Sequence, residues 1–153
     1  MKYPGYTSGN VVLTEGLWYP FRVHKLVQLQ DDAWYFVLED INGLKHFLPA
    51  ENYQDYRIKP GDEVSCKIDK INCTGRIYLE PRHPYYTEGE IYDFEIVKFT
   101  NSVNGSMVVV QEMSGNQLEI LIDGVLKADL KVKNTVRCRV NSIKKGNLFL
   151  ELV

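Results

Sequence analysis

An internal repeat constrains this chain more than any other feature, because self-similarity defines the unit that has to fold. The segment Glu15-Gly16-Leu17-Trp18-Tyr19-Pro20-Phe21-Arg22-Val23 returns as Glu88-Gly89-Glu90-Ile91-Tyr92-Asp93-Phe94-Glu95-Ile96, with Glu, Gly, Tyr and Phe in the same places. Val64-Ser65-Cys66-Lys67-Ile68 returns as Val136-Arg137-Cys138-Arg139-Val140. Gly75-Arg76-Ile77-Tyr78-Leu79-Glu80 returns as Gly146-Asn147-Leu148-Phe149-Leu150-Glu151. The spacing drifts by single residues only, and the three blocks keep their order. Two copies of one small domain therefore occupy 15–80 and 88–153, with an N-terminal tail over 1–14 and a linker over 81–87.

Each copy reads as strands. Val64, Cys66 and Ile68 alternate with Ser65, Lys67 and Asp69, the period of two of a half-buried strand, and Val136, Cys138 and Val140 do the same. In the first copy the pattern predicts strands near 16–29, 32–41, 43–49, 62–72 and 75–80, and one short helix over Ala50 to Arg57. Turn signals separate them: Asp31-Asp32, Asn42-Gly43, Pro60-Gly61 and Thr74-Gly75, then Asn104-Gly105, Ser114-Gly115, Asp123-Gly124 and Lys145-Gly146 in the second copy. Five short strands with a connection between the third and fourth follow the order of an OB barrel, so the expected fold is all-β, two tandem five-stranded OB-fold Greek-key barrels. The linker holds Pro81 and Pro84, which predicts an extended, stiff connection between barrels that touch.

Composition narrows the function classes. Of 153 residues, 44% are hydrophobic and 25% charged, enough for a packed core and against wholesale disorder. No run approaches the roughly 20 apolar residues of a membrane helix. Met1 to Thr14 has one Lys and no apolar block, so no secretory signal is expected and the localisation expected is cytoplasmic. Formal charge is -2, which argues against holding duplex DNA through net positive field. Acidic residues outnumber basic ones in each copy, so binding would depend on placed aromatics and a local basic cluster.

Several motifs resemble the S1-type RNA-binding domain, an OB-fold subclass found in ribosomal protein S1 and polynucleotide phosphorylase. They are Phe36-Val37, Gly43-Leu44-Lys45-His46, Lys59-Pro60-Gly61-Asp62-Glu63-Val64 and Gly75-Arg76-Ile77-Tyr78-Leu79, covering the first copy. The resemblance implies single-stranded RNA held on the outer face of the second and third strands by two aromatics, a His, an Asp and an Arg. Phe36 matches one aromatic, His46 the His and Arg76 the Arg, while Asn72 falls at the Asp position. Ala33 stands in the other aromatic's place, and Trp34, on the face of Phe36 by strand alternation, is the replacement. Lys45 occupies what is usually an inward apolar position, which leaves the third-strand register open.

The expected nucleic-acid site is thus Trp34, Phe36, His46, Asn72 and Arg76. Stacking on an exposed ring is worth roughly 1–3 kcal/mol per base and tolerates any base. The competing reading has Trp34 and Phe36 packed against the tail or the neighbouring barrel, and Asn72 as an ordinary turn residue. The second copy lacks the platform, with Ser106, Val108 and Leu118 in place of Trp34, Phe36 and His46. It carries instead a basic stretch, Lys127, Lys131, Lys133, Arg137, Arg139, Lys144 and Lys145, which is either a secondary phosphate-tracking patch or a solvated face beside Glu88, Glu90, Asp93 and Glu95.

No enzyme is expected. Asp31-Asp32, Glu39-Asp40 and Asp62-Glu63 read as turn acids, and no phosphate loop, nucleophile elbow or His-Glu-x-x-His occurs. Cys66 and Cys138 read as core residues, leaving Cys73 as the one plausible reactive thiol. A metal site from Cys66, Cys73 and His83 fails on geometry, and no cofactor is expected. The partner expected is single-stranded RNA, with single-stranded DNA as a further candidate. The alternative is a protein-protein interaction module on barrels that have lost nucleic-acid binding.

Overall fold

A computed structural model describes residues 11–123, Leu130 and 134–153. The chain divides into two compact units, one ending at Pro84 and the other beginning at Tyr85. The first comprises β1 (Trp18–Gln28), β2 (Trp34–Glu39), β3 (Lys45–Pro49), a 3-10 helix (Glu51–Tyr56), β4 (Glu63–Ile71) and β5 (Ile77–Pro81). The second comprises β6 (Ile91–Ser102), β7 (Gly105–Gln111), β8 (Gln117–Ile122), β9 (Thr135–Lys144) and β10 (Asn147–Leu152). Each forms a five-stranded antiparallel sheet, ordered β3-β2-β1-β4-β5 in one and β10-β9-β6-β7-β8 in the other. Numbered from its own first strand, the order is the same in both. In the first unit β3 and β5 approach one another, so that sheet curls into a nearly closed barrel.

The curl follows from the first strand. Trp18 to Arg22 pair with β4, while Arg22 to Gln28 pair with β2, so one strand serves both halves of the sheet. A register shift at His24 gives β1 an extra residue, and such a bulge bends a strand and increases its twist. Asp69 does the same in β4. The second unit repeats both devices at Val97 and Asn141, the equivalent positions.

Hydrogen bonds explain why the repeated motif keeps its residues. Gly16 and Gly89 have φ of 84° and 88°, a conformation costly for other residues, and their N–H groups donate to Ile68 O and Val140 O at 2.8 and 2.7 Å. The Glu15 carboxylate accepts from Ile71 N–H at 2.7 Å, and Glu88 from Ile143 N–H at 2.8 Å. The Tyr19 and Tyr92 hydroxyls accept from Thr14 and Thr87 N–H at 3.0 and 2.8 Å. Phe21 and Phe94 are buried at the centres of their cores.

The first core consists of Phe21, Val23, Phe36, Leu38, Leu48, Tyr53, Cys66, Ile68 and Leu79. The expected helix over Ala50 to Arg57 is the 3-10 segment, closed by Arg57 in the left-handed region and burying Tyr53, whose hydroxyl donates to Glu80 at 3.2 Å. Burial pushes the pKa of the Tyr53 phenol and the Cys66 thiol well above their usual range, and that of the Cys138 thiol up to about 11. Segments ahead of the first strands are tied down as well. The Asn42 carboxamide exchanges two 2.7 Å bonds with the Val11 backbone. In the second unit Tyr86 stacks on Phe94, 5.4 Å between centroids, and accepts from Met113 N–H at 2.9 Å.

Two expectations need correction. Phe36 is only 6% exposed and packs inside the barrel, because β2 turns Phe36 and Leu38 inward. The residues expected as a linker over 81–87 are partly core: Pro81 ends β5, and Pro81, His83 and Tyr86 are all buried. Lys127, Lys131 and Lys133, with residues 1–10 of the tail, lie outside the described residues. Among those described, no helix is long and apolar enough to cross a membrane.

Removing a repeated cap should weaken each unit comparably. Glu15→Ala and Glu88→Ala are each expected to lower stability by about 1 kcal/mol, the worth of one hydrogen bond, read from urea denaturation.

Candidate functional site

The face that could carry function in the first unit is built by strand alternation in β3. His46 and Leu48 turn toward the interior, which sends Lys45 and Phe47 outward, and both are exposed. Tyr35, next to inward Phe36 in β2, faces out beside Phe47, with ring centroids 6.0 Å apart at 75°, an edge-to-face pair. The Tyr35 hydroxyl donates to Asp31 Oδ2 at 2.7 Å, while Asp31 Oδ1 accepts from Ala33 N–H at 3.0 Å. The Tyr35 hydroxyl and the Ala33 N–H together hold the Asp31 carboxyl below its usual value, and the same bond raises the Tyr35 phenol.

Opposite these rings stands the β4–β5 turn. Asn72 Oδ1 accepts from Thr74 N–H, Thr74 Oγ1 and Arg76 N–H at 3.1, 2.7 and 2.8 Å, and Gly75 takes φ 86°. That turn carries Arg76, whose guanidinium lies 4.8 Å from the Tyr78 ring centroid. Between the two walls runs a groove of about 660 Å³, lined by Leu29, Tyr35, Lys45, Phe47, Thr74 and Arg76 among others.

The five expected site residues do not converge. Arg76 lies in the groove. His46 borders it, but its side chain is only 14% exposed and its Nε2 sits 2.7 Å from Asp40 Oδ2, with the ring edge-on to Phe21. Asp40 also accepts from Asn42 and Leu44 N–H at 2.8 and 3.0 Å, so the pair holds the β2–β3 turn. Asn72 has its carboxamide oxygen occupied by its own turn. Trp34 is half exposed at the start of β2 and is not among the groove-lining residues, and Phe36 is in the core. Trp34 and Phe36 therefore do not form a shared outward platform. The rings that do face outward, Tyr35 and Phe47, were readable only by taking Phe36, Leu38, His46 and Leu48 as one inward set.

Two members of the second unit's basic patch stand opposite acids on adjoining strands. Arg137 stands opposite Asp93 and bonds it at 3.2 Å. Arg139 stands opposite Glu151 at 3.9 Å. Lys144 and Lys145 are exposed at the β9–β10 turn, where Lys145 adopts φ 52°. Positions equivalent to Tyr35, Lys45, Phe47 and Arg76 hold Met107, Gln117, Glu119 and Asn147, so the aromatic and cationic groove is particular to the first unit. Searched against known proteins, the chain matches no protein-family model and no curated protein.

Two substitutions should separate core from surface. Phe36→Ala is expected to cost about 3–5 kcal/mol by chemical denaturation, while Phe47→Ala costs under about 1 kcal/mol. In Tyr35→Phe the Asp31 carboxyl should titrate closer to the ordinary aspartate range, as followed by NMR. The sign follows from the lost donor: the ionised carboxylate of the folded state is less favoured, so the stabilisation lost on acidification disappears at a higher pH.

Proposed function

We propose that the chain is a non-enzymatic protein that binds single-stranded nucleic acid, RNA first, through the groove of its first unit, and that both units are OB-type folds. The observation that carries this reading is the outward Tyr35–Phe47 pair facing Arg76 across one groove, with Lys45 beside Phe47 on β3. Aromatic faces stack bases of any identity, and the two cations supply phosphate contacts that a chain of net charge -2 cannot offer through its overall field. The shared strand order, with a connection between the third and fourth strands, supports the OB-type assignment, as does the S1-like run Gly75-Arg76-Ile77-Tyr78-Leu79. The second unit lacks the rings and serves as scaffold.

Fluorescence anisotropy of a labelled oligoribonucleotide at low salt tests the proposal. Phe47→Ala should weaken binding by roughly 5- to 150-fold, the equivalent of one lost stacking contact. Arg76→Ala should reduce the salt slope by about 0.7, one phosphate contact on a single strand. Equal binding by wild type and Phe47→Ala would sink the stacking model. Absence of any binding would leave the groove to a protein segment.

A further inference from the structure

The groove is also a seam between two strand edges. Hydrogen-bonded positions along β2 and β3 are set at both ends of the ladder: Asp40 N–H donates to Leu44 O at 2.8 Å and Ala50 N–H to Trp34 O at 2.9 Å. In an antiparallel pair such positions alternate, so Leu44, His46 and Leu48 direct their main-chain groups at β2. Lys45 and Phe47 direct theirs away from it, into the seam. On the other wall Asn72 N–H donates to Arg76 O and Arg82 N–H to Ser65 O, both at 2.9 Å. By the same alternation Arg76 and Tyr78 face β4 while Ile77 faces the seam. β3 and β5 are the two end strands of their sheet, and no ladder joins them. Among the described residues, no strand ladder takes up the seam-facing main-chain groups of Lys45, Phe47 and Ile77.

Strand edges of this kind are usually paired, covered or guarded. Here they line a groove whose volume lies within the roughly 300–1,000 Å³ of small-ligand sites, with exposed rings above and cations at its rims. In an extended strand the N–H and C=O of one residue project to the same side, a donor and an acceptor next to each other. The Watson–Crick edge of an unpaired base offers the complementary arrangement.

Resting on the proposed single-strand binding, we infer that a base stacked against Tyr35 or Phe47 is also held by its Watson–Crick edge, through the open main-chain groups of Phe47 and Lys45 on β3, with Ile77 opposite. The ligand is then a strand with free base edges, and a paired or edge-blocked strand binds more weakly even where its rings could stack. Main-chain groups make this recognition independent of side-chain identity, so the test varies the ligand.

Octauridylate and octaadenylate are compared by anisotropy with the full chain, against octamers of N3-methyluridine and N6,N6-dimethyladenosine, which keep the stacking face and block the edge, and against an abasic octamer. For whichever unmodified octamer binds more tightly, the blocked counterpart should bind about tenfold or more weakly, the loss expected for a good base-edge contact. The amides of Phe47 and Ile77 should gain protection from hydrogen exchange with the unmodified octamer and not with the blocked one. If blocked and unmodified octamers bind alike and both exceed the abasic strand, edge recognition is wrong and the stacking site stands. If no octamer binds, both fail together.

Discussion

Everything in the first unit depends on β1 being shared. A strand that pairs with β4 along its first half and with β2 along its second cannot stay flat, and the extra residue at His24 supplies the bend. Once β1 coils, β3 and β5 are brought toward each other from opposite ends of the sheet. The core that fills the curl is small, so each inward ring matters, and Phe21 and Phe36 occupy places no polar residue could take without a partner. The groove is the remainder of that geometry, the place where the two end strands come near and do not join.

Holding the groove's walls falls to short polar devices. Asp40 uses one carboxylate oxygen for two turn amides and the other for His46, which fixes where β3 begins and so where Phe47 points. Asn72 does the equivalent for the opposite turn and for Arg76. Thus two residues that the sequence suggested as ligand contacts, His46 and Asn72, bear on the site through the turns they stabilise.

Much of the fold was legible because its signals are local. The alternation of Val64, Cys66 and Ile68, the glycines at the turns and the doubled Glu-Gly-x-x-Tyr-x-Phe block each report a strand, a positive φ or a cap without reference to distant residues. The site was less legible because it depends on register. Trp34-Tyr35-Phe36-Val37-Leu38 is apolar throughout, so alternation cannot say which parity faces the core, and the choice of Phe36 as an outward ring followed the resemblance alone. In the basic cluster, Asp93 and Glu151 reach Arg137 and Arg139 across antiparallel ladders; Asp93 was among the flanking acids the sequence offered, whereas the Glu151 pairing depends on a register that cannot be read along the chain.

The duplicated caps have a further consequence. Gly16 and Gly89, Glu15 and Glu88, and Tyr19 and Tyr92 all act at strand ends and turns, away from the outward faces of the second and third strands. Those faces are therefore decoupled from what makes the domain fold. One copy carries Tyr35, Phe47 and Arg76 where the other carries Met107, Glu119 and Asn147, on the same strand order. The chain thus contains its own blank: a sister domain of matched topology in which the outward face has been exchanged and the scaffold left alone.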